Sequence, residues 1–125
     1  MSNKLTVNRM QMLCQLRLSE LTEKEGSNHG EDWSANDWFT AFIGEAGELA
    51  NHLKKIRRGD YTLTDKFADI EKEYADTLVY FIYLGNKLGL DISEVFVTKW
   101  NIIGERLDLP TNITYDGDLI RRVSK

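Results

Sequence analysis

The stretch Leu78-Val-Tyr-Phe-Ile-Tyr-Leu84 decides how this chain folds. Wound as a helix it has no polar side, and such a helix must be covered on more than one face. Phe67, Ile70, Tyr74, Leu78, Phe81, Ile82 and Leu88 form one apolar stripe through it, expected to face the core. The opposite face carries Glu73, Asp76, Tyr80 and Tyr83. Two acids therefore continue a face that is covered further along, an unusual position for charge.

Outward from this segment the chain reads as helices joined by short polar breaks. Thr64 or Asp65 caps the helix that ends at Leu88, with Gly89 as its stop. The preceding helix runs from about Asn36 to Arg58. Ser34 or Asn36 caps it, and Phe42, Ala46, Leu49, Leu53 and Ile56 form its stripe. Lys54, Lys55, Arg57 and Arg58 suit its C-terminal end, and Gly59 stops it. A first helix over roughly residues 5–24 is separated from it by a loop at Glu25–Ala35. Asp91 with Glu94 resembles a capping box for a fourth helix ending near Leu107. The single proline, Pro110, and Gly117 mark a tail over 111–125 that reads as irregular. No strict alternation argues for a sheet. The expected architecture is all-α: a four-helix bundle protomer in one domain, residues 1–110. The all-round apolar segment asks for more cover than one protomer gives, so a homodimer or homotetramer is expected.

Composition narrows the class. The 125 residues suit one domain. A net charge of −4 excludes a general basic coat for a nucleic-acid polymer. One cysteine, Cys14, and two histidines, His29 and His52, make a structural zinc site improbable. The two histidines read as surface residues without a catalytic role. The longest uncharged stretch, Thr77–Asn86, is about half of the ~20 residues a membrane helix needs. No secretory signal is visible at the N-terminus, and a cytoplasmic location without membrane partners is expected.

A second acid pair matches the first. Glu45 and Glu48 are three apart and so neighbours on one helix surface. Gly44 and Gly47 flank Glu45, each costing about 1 kcal/mol of helix stability relative to Ala, and are expected to permit close approach by a helix or ligand. A helical hairpin brings the two pairs face to face. Four carboxylates in one crevice repel one another, and a divalent cation resolves the conflict. All-oxygen ligation suits Mg²⁺, or Mn²⁺.

The segment Gly44-Glu-Ala-Gly-Glu-Leu-Ala-Asn51, then Lys54-Lys55, then Glu73-Tyr-Ala-Asp76-Thr-Leu-Val-Tyr80, resembles the MazG-like all-α nucleotide pyrophosphohydrolases, a group with the dimeric dUTPases and dCTP pyrophosphatases. The shared pattern is E-x-x-E, a gap (24 residues here), then E-x-x-D, and the likeness covers about Trp33–Pro110. The resemblance implies hydrolysis of a (deoxy)nucleoside triphosphate between its α and β phosphorus atoms, serving dNTP-pool cleaning. It assigns Glu45, Glu48, Glu73 and Asp76 to Mg²⁺, with Glu48 orienting or deprotonating the attacking water.

For the phosphates it points to Lys54, Lys55 and the Lys99-Trp100-Asn101 region with Arg106. A favourable charge at a helix end and a solvated basic face are their bland counterparts. Trp33 and Trp38 are candidates for the base, Trp38 also falling near the core stripe. Tyr80 matches a tyrosine of pyrimidine-selective members whose hydroxyl meets the sugar 3′ position, and Asn51 lies beside the acids. Residues from two subunits are expected to complete each pocket. Two readings compete with this one: a phosphoribosyl-ATP pyrophosphohydrolase, and a non-catalytic helical module that binds nucleotide. Base preference is not legible.

Overall fold

A computed structural model describes residues 4–25, 30 and 32–121. Its elements in order are α1 (Val7–Glu25), α2 (Ala35–Arg58), α3 (Phe67–Lys87), α4 (Ile92–Arg106), β1 (Thr111–Ile113) and β2 (Leu119–Arg121). The four helices make the protein predominantly α-helical. No helix among the described residues is long and apolar enough to cross a membrane.

The caps explain where the helices begin and end. Ser34 accepts from the Asp37 N–H and the Asp37 carboxylate accepts from the Ser34 N–H, a reciprocal box that fixes the start of α2. Gly59, at φ +83°, ends it in the left-handed conformation that glycine adopts without strain. Asp91 caps α4 by accepting from the Glu94 N–H. The start of α3 differs from the expectation at Thr64 or Asp65. Thr62 and Asp65 bond each other's backbone in a turn of their own, so the helix begins later, at Phe67, behind an uncapped Lys66.

The principal packing is α2 against α3, an antiparallel hairpin, with α1 laid along α3. Trp38, in the first turn of α2, is 4% exposed. Its ring stacks on Tyr83 of α3 at 4.6 Å and 13°, and Leu84, Leu18 and Cys14 close around the pair. The loop before α2 crosses this ring so closely that a Cβ on Gly30 would stand 2.8 Å from it. Glycine is needed there twice over, since φ is +98°.

The fourth helix departs from a closed bundle. It packs mainly on α1 and on β1, and meets α3 where Ile92 lies against Gly85. The tail is not irregular as expected: β1 and β2 pair antiparallel, Asn112 opposite Ile120. Three-residue strands are too short to leave an alternating pattern. Asn101 of α4 anchors β1 by donating to the Ile113 carbonyl and accepting from the Ile113 N–H, both at 2.9 Å. At the other end of α4, the Tyr115 hydroxyl donates to Asp91 at 2.6 Å, and Asn8 of α1 donates to both. These bonds, the Tyr115 hydroxyl foremost, hold the Asp91 carboxyl below its usual range.

The apolar stripe of α3 is where expectation and structure part most clearly. Ile82 and Leu84 are buried, but Phe67, Tyr74, Leu78, Phe81 and Leu88 are exposed. The covered side is the one carrying Tyr80 and Tyr83, because α1 and Trp38 lie against it. Among the described residues, the buried large hydrophobic ones are Trp38, Ile82, Tyr83 and Leu84.

Candidate metal centre

The carboxylates come from the middle of the α2–α3 hairpin. Antiparallel packing puts Glu45 and Glu48 of α2 opposite Glu73 and Asp76 of α3. One oxygen from each of Glu45, Glu73 and Asp76 lies within 4.8 Å of the others, and all three side chains are half-buried. Glu48 is exposed and reaches both Glu45 and Glu73 at the rim of the cluster.

The electrostatics follow from crowding. Burial, then the charges of Glu48 and Asp76, push the Glu45 carboxyl above the ordinary range. A hydrogen bond shared with Glu48, then burial and the charges of Glu48, Glu45 and Asp76, do the same to Glu73. Tyr80 is pushed up by burial and by Glu45 and Asp76, which sets its hydroxyl near the same charges. One atom tests the fit of a cation directly: Glu73 Oε2 is shielded from solvent and accepts no hydrogen bond. A shielded carboxylate oxygen without a donor is costly, and a hard divalent ion bound here would supply the missing partner. The donor set contains oxygen alone, which suits Mg²⁺ or Mn²⁺ over softer metals.

Beside the acids is an aromatic slot of about 370 Å³. Trp33, Trp38, Tyr80 and Tyr83 line it with Leu18 and Leu21 of α1, and Asp76 stands on its edge. Trp33 and Trp38 meet at 4.6 Å and 55°, while Trp38 and Tyr80 lie 6.0 Å apart. Trp38 is thus both core and slot wall.

No known family's sequence profile matches the chain. It is similar to Gene 37 protein of Mycobacterium phage L5, with 37% identity over 68 residues. That alignment takes in 53% of this chain and 60% of the phage protein's length.

The remaining candidates separate. Asn51 is exposed on α2, one turn past Glu48, and Lys54 is exposed roughly 13 Å along the axis from Glu45. Lys55 is half-buried in the last turns. Lys99 borders an open groove of about 450 Å³ with Leu90, Glu94 and Ile102, and Arg106 is exposed at the end of α4. Neither joins the acidic cluster within the protomer. Asn101 is engaged with Ile113, so its amide serves the α4–β1 junction rather than a phosphate. The two glycines beside Glu45 are not contacts either: a Cβ on Gly44 or Gly47 would meet nothing within 4 Å.

Sequence reasoning missed three features. His52 is half-buried, its Nδ1 2.8 Å from the Tyr61 hydroxyl, and ties α2 to the turn before α3. Leu18 and Leu21 give α1 a part in the slot, visible in advance only as generic helix hydrophobics. Tyr83 is the platform under Trp38, a role no spacing rule announces. His29 lies outside the described residues.

Proposed function

We propose that this chain is a Mg²⁺-dependent nucleoside triphosphate pyrophosphohydrolase, with deoxynucleoside triphosphates as the favoured substrates and pool cleaning in the cytoplasm as the role. The observation that carries this reading is the juxtaposition of an all-carboxylate cluster with an aromatic slot, sharing Asp76 and Tyr80. Such a pair of sites fits a ligand with a polyanionic end and a flat, stackable end.

In this reading Glu45, Glu73 and Asp76 would hold the cation, with Glu48 at the open side. When bound, such an ion would supply electrostatic neutralisation of the charge that builds on the phosphates during attack. Trp33 and Trp38 hold the base in the slot, and Tyr80 directs its hydroxyl at the sugar. Glu48, exposed to solvent, receives the proton of the water that attacks the α phosphorus. The bond from that phosphorus to the α–β bridging oxygen breaks, and the products are the nucleoside monophosphate and pyrophosphate. Lys99 and Arg106 would reach the phosphates only from another copy, so the active form is a homodimer or homotetramer.

The test is pyrophosphate release from a panel of dNTPs and NTPs with Mg²⁺, Mn²⁺ or chelator. Release that chelator abolishes is expected. A chain that binds nucleotides but releases nothing from any of them overturns the reading in favour of a binding module, and selective cleavage of phosphoribosyl-ATP would redirect it to that substrate.

A further inference from the structure

Helix α1 walls the aromatic slot at one end of its length and is tied to α3 by an amide at the other. Gln11, Cys14, Leu18 and Leu21 are spaced three, four and three, which puts them on one face of α1, and all four are half-buried. Leu18 and Leu21 line the slot. The Gln11 side-chain N–H groups donate to Asn86 Oδ1 of α3 at 2.9 Å and to the Leu90 carbonyl at 2.8 Å. Its Oε1 accepts from the Ile92 N–H at 3.0 Å, one of the backbone donors that the start of a helix leaves unpaired. Asn86 returns a bond to the Gln11 carbonyl at 3.0 Å.

These bonds define a register. Gln11 meets Asn86, and Leu21 shares the slot with Asp76, so ten residues forward along α1 match ten residues back along α3. The apolar contacts of Cys14 and Leu18 with the Trp38–Tyr83 pair hold the helices together without selecting a sliding position, because such attraction is non-directional. Hydrogen bonds are directional, and a polar residue in an apolar helix seam selects one register. A slip of one turn, about 5.4 Å, would carry Cys14 and Arg17 to the places of Leu18 and Leu21 and replace both apolar walls.

We infer that Gln11, together with Asn86, is a positioning residue for the slot: it locks α1 on α3 in the register that stands Leu18 and Leu21 beside Asp76. It acts through the helix, about 10 Å along the axis from Leu18. What the slot holds rests on the nucleotide reading above. The lock itself does not.

Two measurements on the full chain test it. Cys14, the single cysteine, lies between Gln11 and Leu18 on the same face, so its exchange with an aromatic disulfide reports how firmly α1 is seated. Gln11→Ala and Asn86→Ala should each raise that rate about tenfold, while Gln15→Ala, one turn on at an exposed position, should leave it within about twofold. Gln11→Glu keeps the acceptor for Ile92 and loses both donors. It should raise the rate about threefold, and it keeps the test decisive if the alanine variants fail to fold. In pyrophosphate release, Gln11→Ala should raise KM about tenfold with kcat within about twofold. That KM effect should shrink to about twofold or less where Leu18 and Leu21 are already alanine. A bond that only stabilised the fold would act on KM equally in both backgrounds. Unchanged thiol rates in every variant overturn the lock, and equal KM effects in the two backgrounds overturn its link to the slot. A wild-type chain that cleaves no triphosphate overturns the hydrolase reading instead. The slot is then read by acrylamide quenching of Trp33 and Trp38 in a Trp100→Phe chain, which Gln11→Ala should raise about twofold. Unchanged quenching there overturns the inference.

Discussion

The two sides of the α2–α3 hairpin are built on opposite principles. One side gathers Glu45, Glu48, Glu73 and Asp76 beside tryptophan and tyrosine rings, and α1 and Trp38 close over part of it. The other carries Phe39, Ile43, Tyr74, Leu78 and Phe81 into solvent. A lone globular chain would do the reverse, turning its large apolar residues inward and its acids outward. The inversion teaches that the protomer uses its helices to shape an acidic crevice and leaves the other face of the hairpin apolar and uncovered among the described residues.

The largest expected effect breaks the acidic side alone. Asp76→Asn or Glu48→Gln should lower pyrophosphate release by on the order of a thousandfold or more, because the charge opposed to the cation or the proton acceptor is lost. Circular dichroism and oligomer mass should not change. Retained activity in both variants would remove the site assignment.

Next in size is the ring that is both core and slot wall. Trp38→Ala deletes a buried ring stacked on Tyr83 and should cost about 3–5 kcal/mol in urea unfolding. Trp33→Ala removes a slot wall that is only half-buried. It should raise KM about tenfold with little loss of stability, the reverse of the Trp38 pattern. Equal stability losses in the two would show that the slot is merely core.

Asn101→Ala sharpens the contrast between structural and substrate-directed polar groups. Losing two bonds to Ile113 should cost about 1–3 kcal/mol and loosen the β-hairpin. KM for a triphosphate should stay within twofold, roughly, if the amide does not touch phosphate.

The smallest effect is a pH trend. Glu45 and Glu73 have raised carboxyl pKa values, so the folded chain binds their protons more tightly than the unfolded one. Their contribution to stability is present below the ordinary carboxyl range and is lost as pH rises through the raised values. The metal-free protein should therefore melt a little lower at pH 7 than near pH 5, and Mg²⁺ should stabilise more at the higher pH. Differential scanning calorimetry with and without Mg²⁺ would check the sign.

Much of this was legible in the chain. Ser34, Gly59, Asp91 and Gly89 mark helix ends through local chemistry that needs no tertiary context. Glu45, Glu48, Glu73 and Asp76 could be paired from spacing, since an antiparallel hairpin leaves few ways to face two i, i+3 pairs. Which side of α3 is covered could not be read. Periodicity says that Phe67, Tyr74, Leu78 and Phe81 share a face, and says nothing of whether the cover comes from the same chain. Asn101 misled because an amide is equally apt for a phosphate and for a strand's backbone, and β1 is too short to betray itself. His52 reads as a surface residue in sequence because its partner Tyr61 sits beyond Gly59, in a turn whose path no helix rule sets.

The meeting of Asn8, Asp91 and Tyr115 ties the opening turn of α1, the start of α4 and the turn between β1 and β2 into a single knot of hydrogen bonds. Trimming the chain after the last helix would therefore remove one partner of the opening turn of α1 and of Asp91 as well as a hairpin. A shortened version for crystallisation or fusion should stop no earlier than Arg121, and a tag at the carboxyl end should be spaced so that it does not pull on Tyr115.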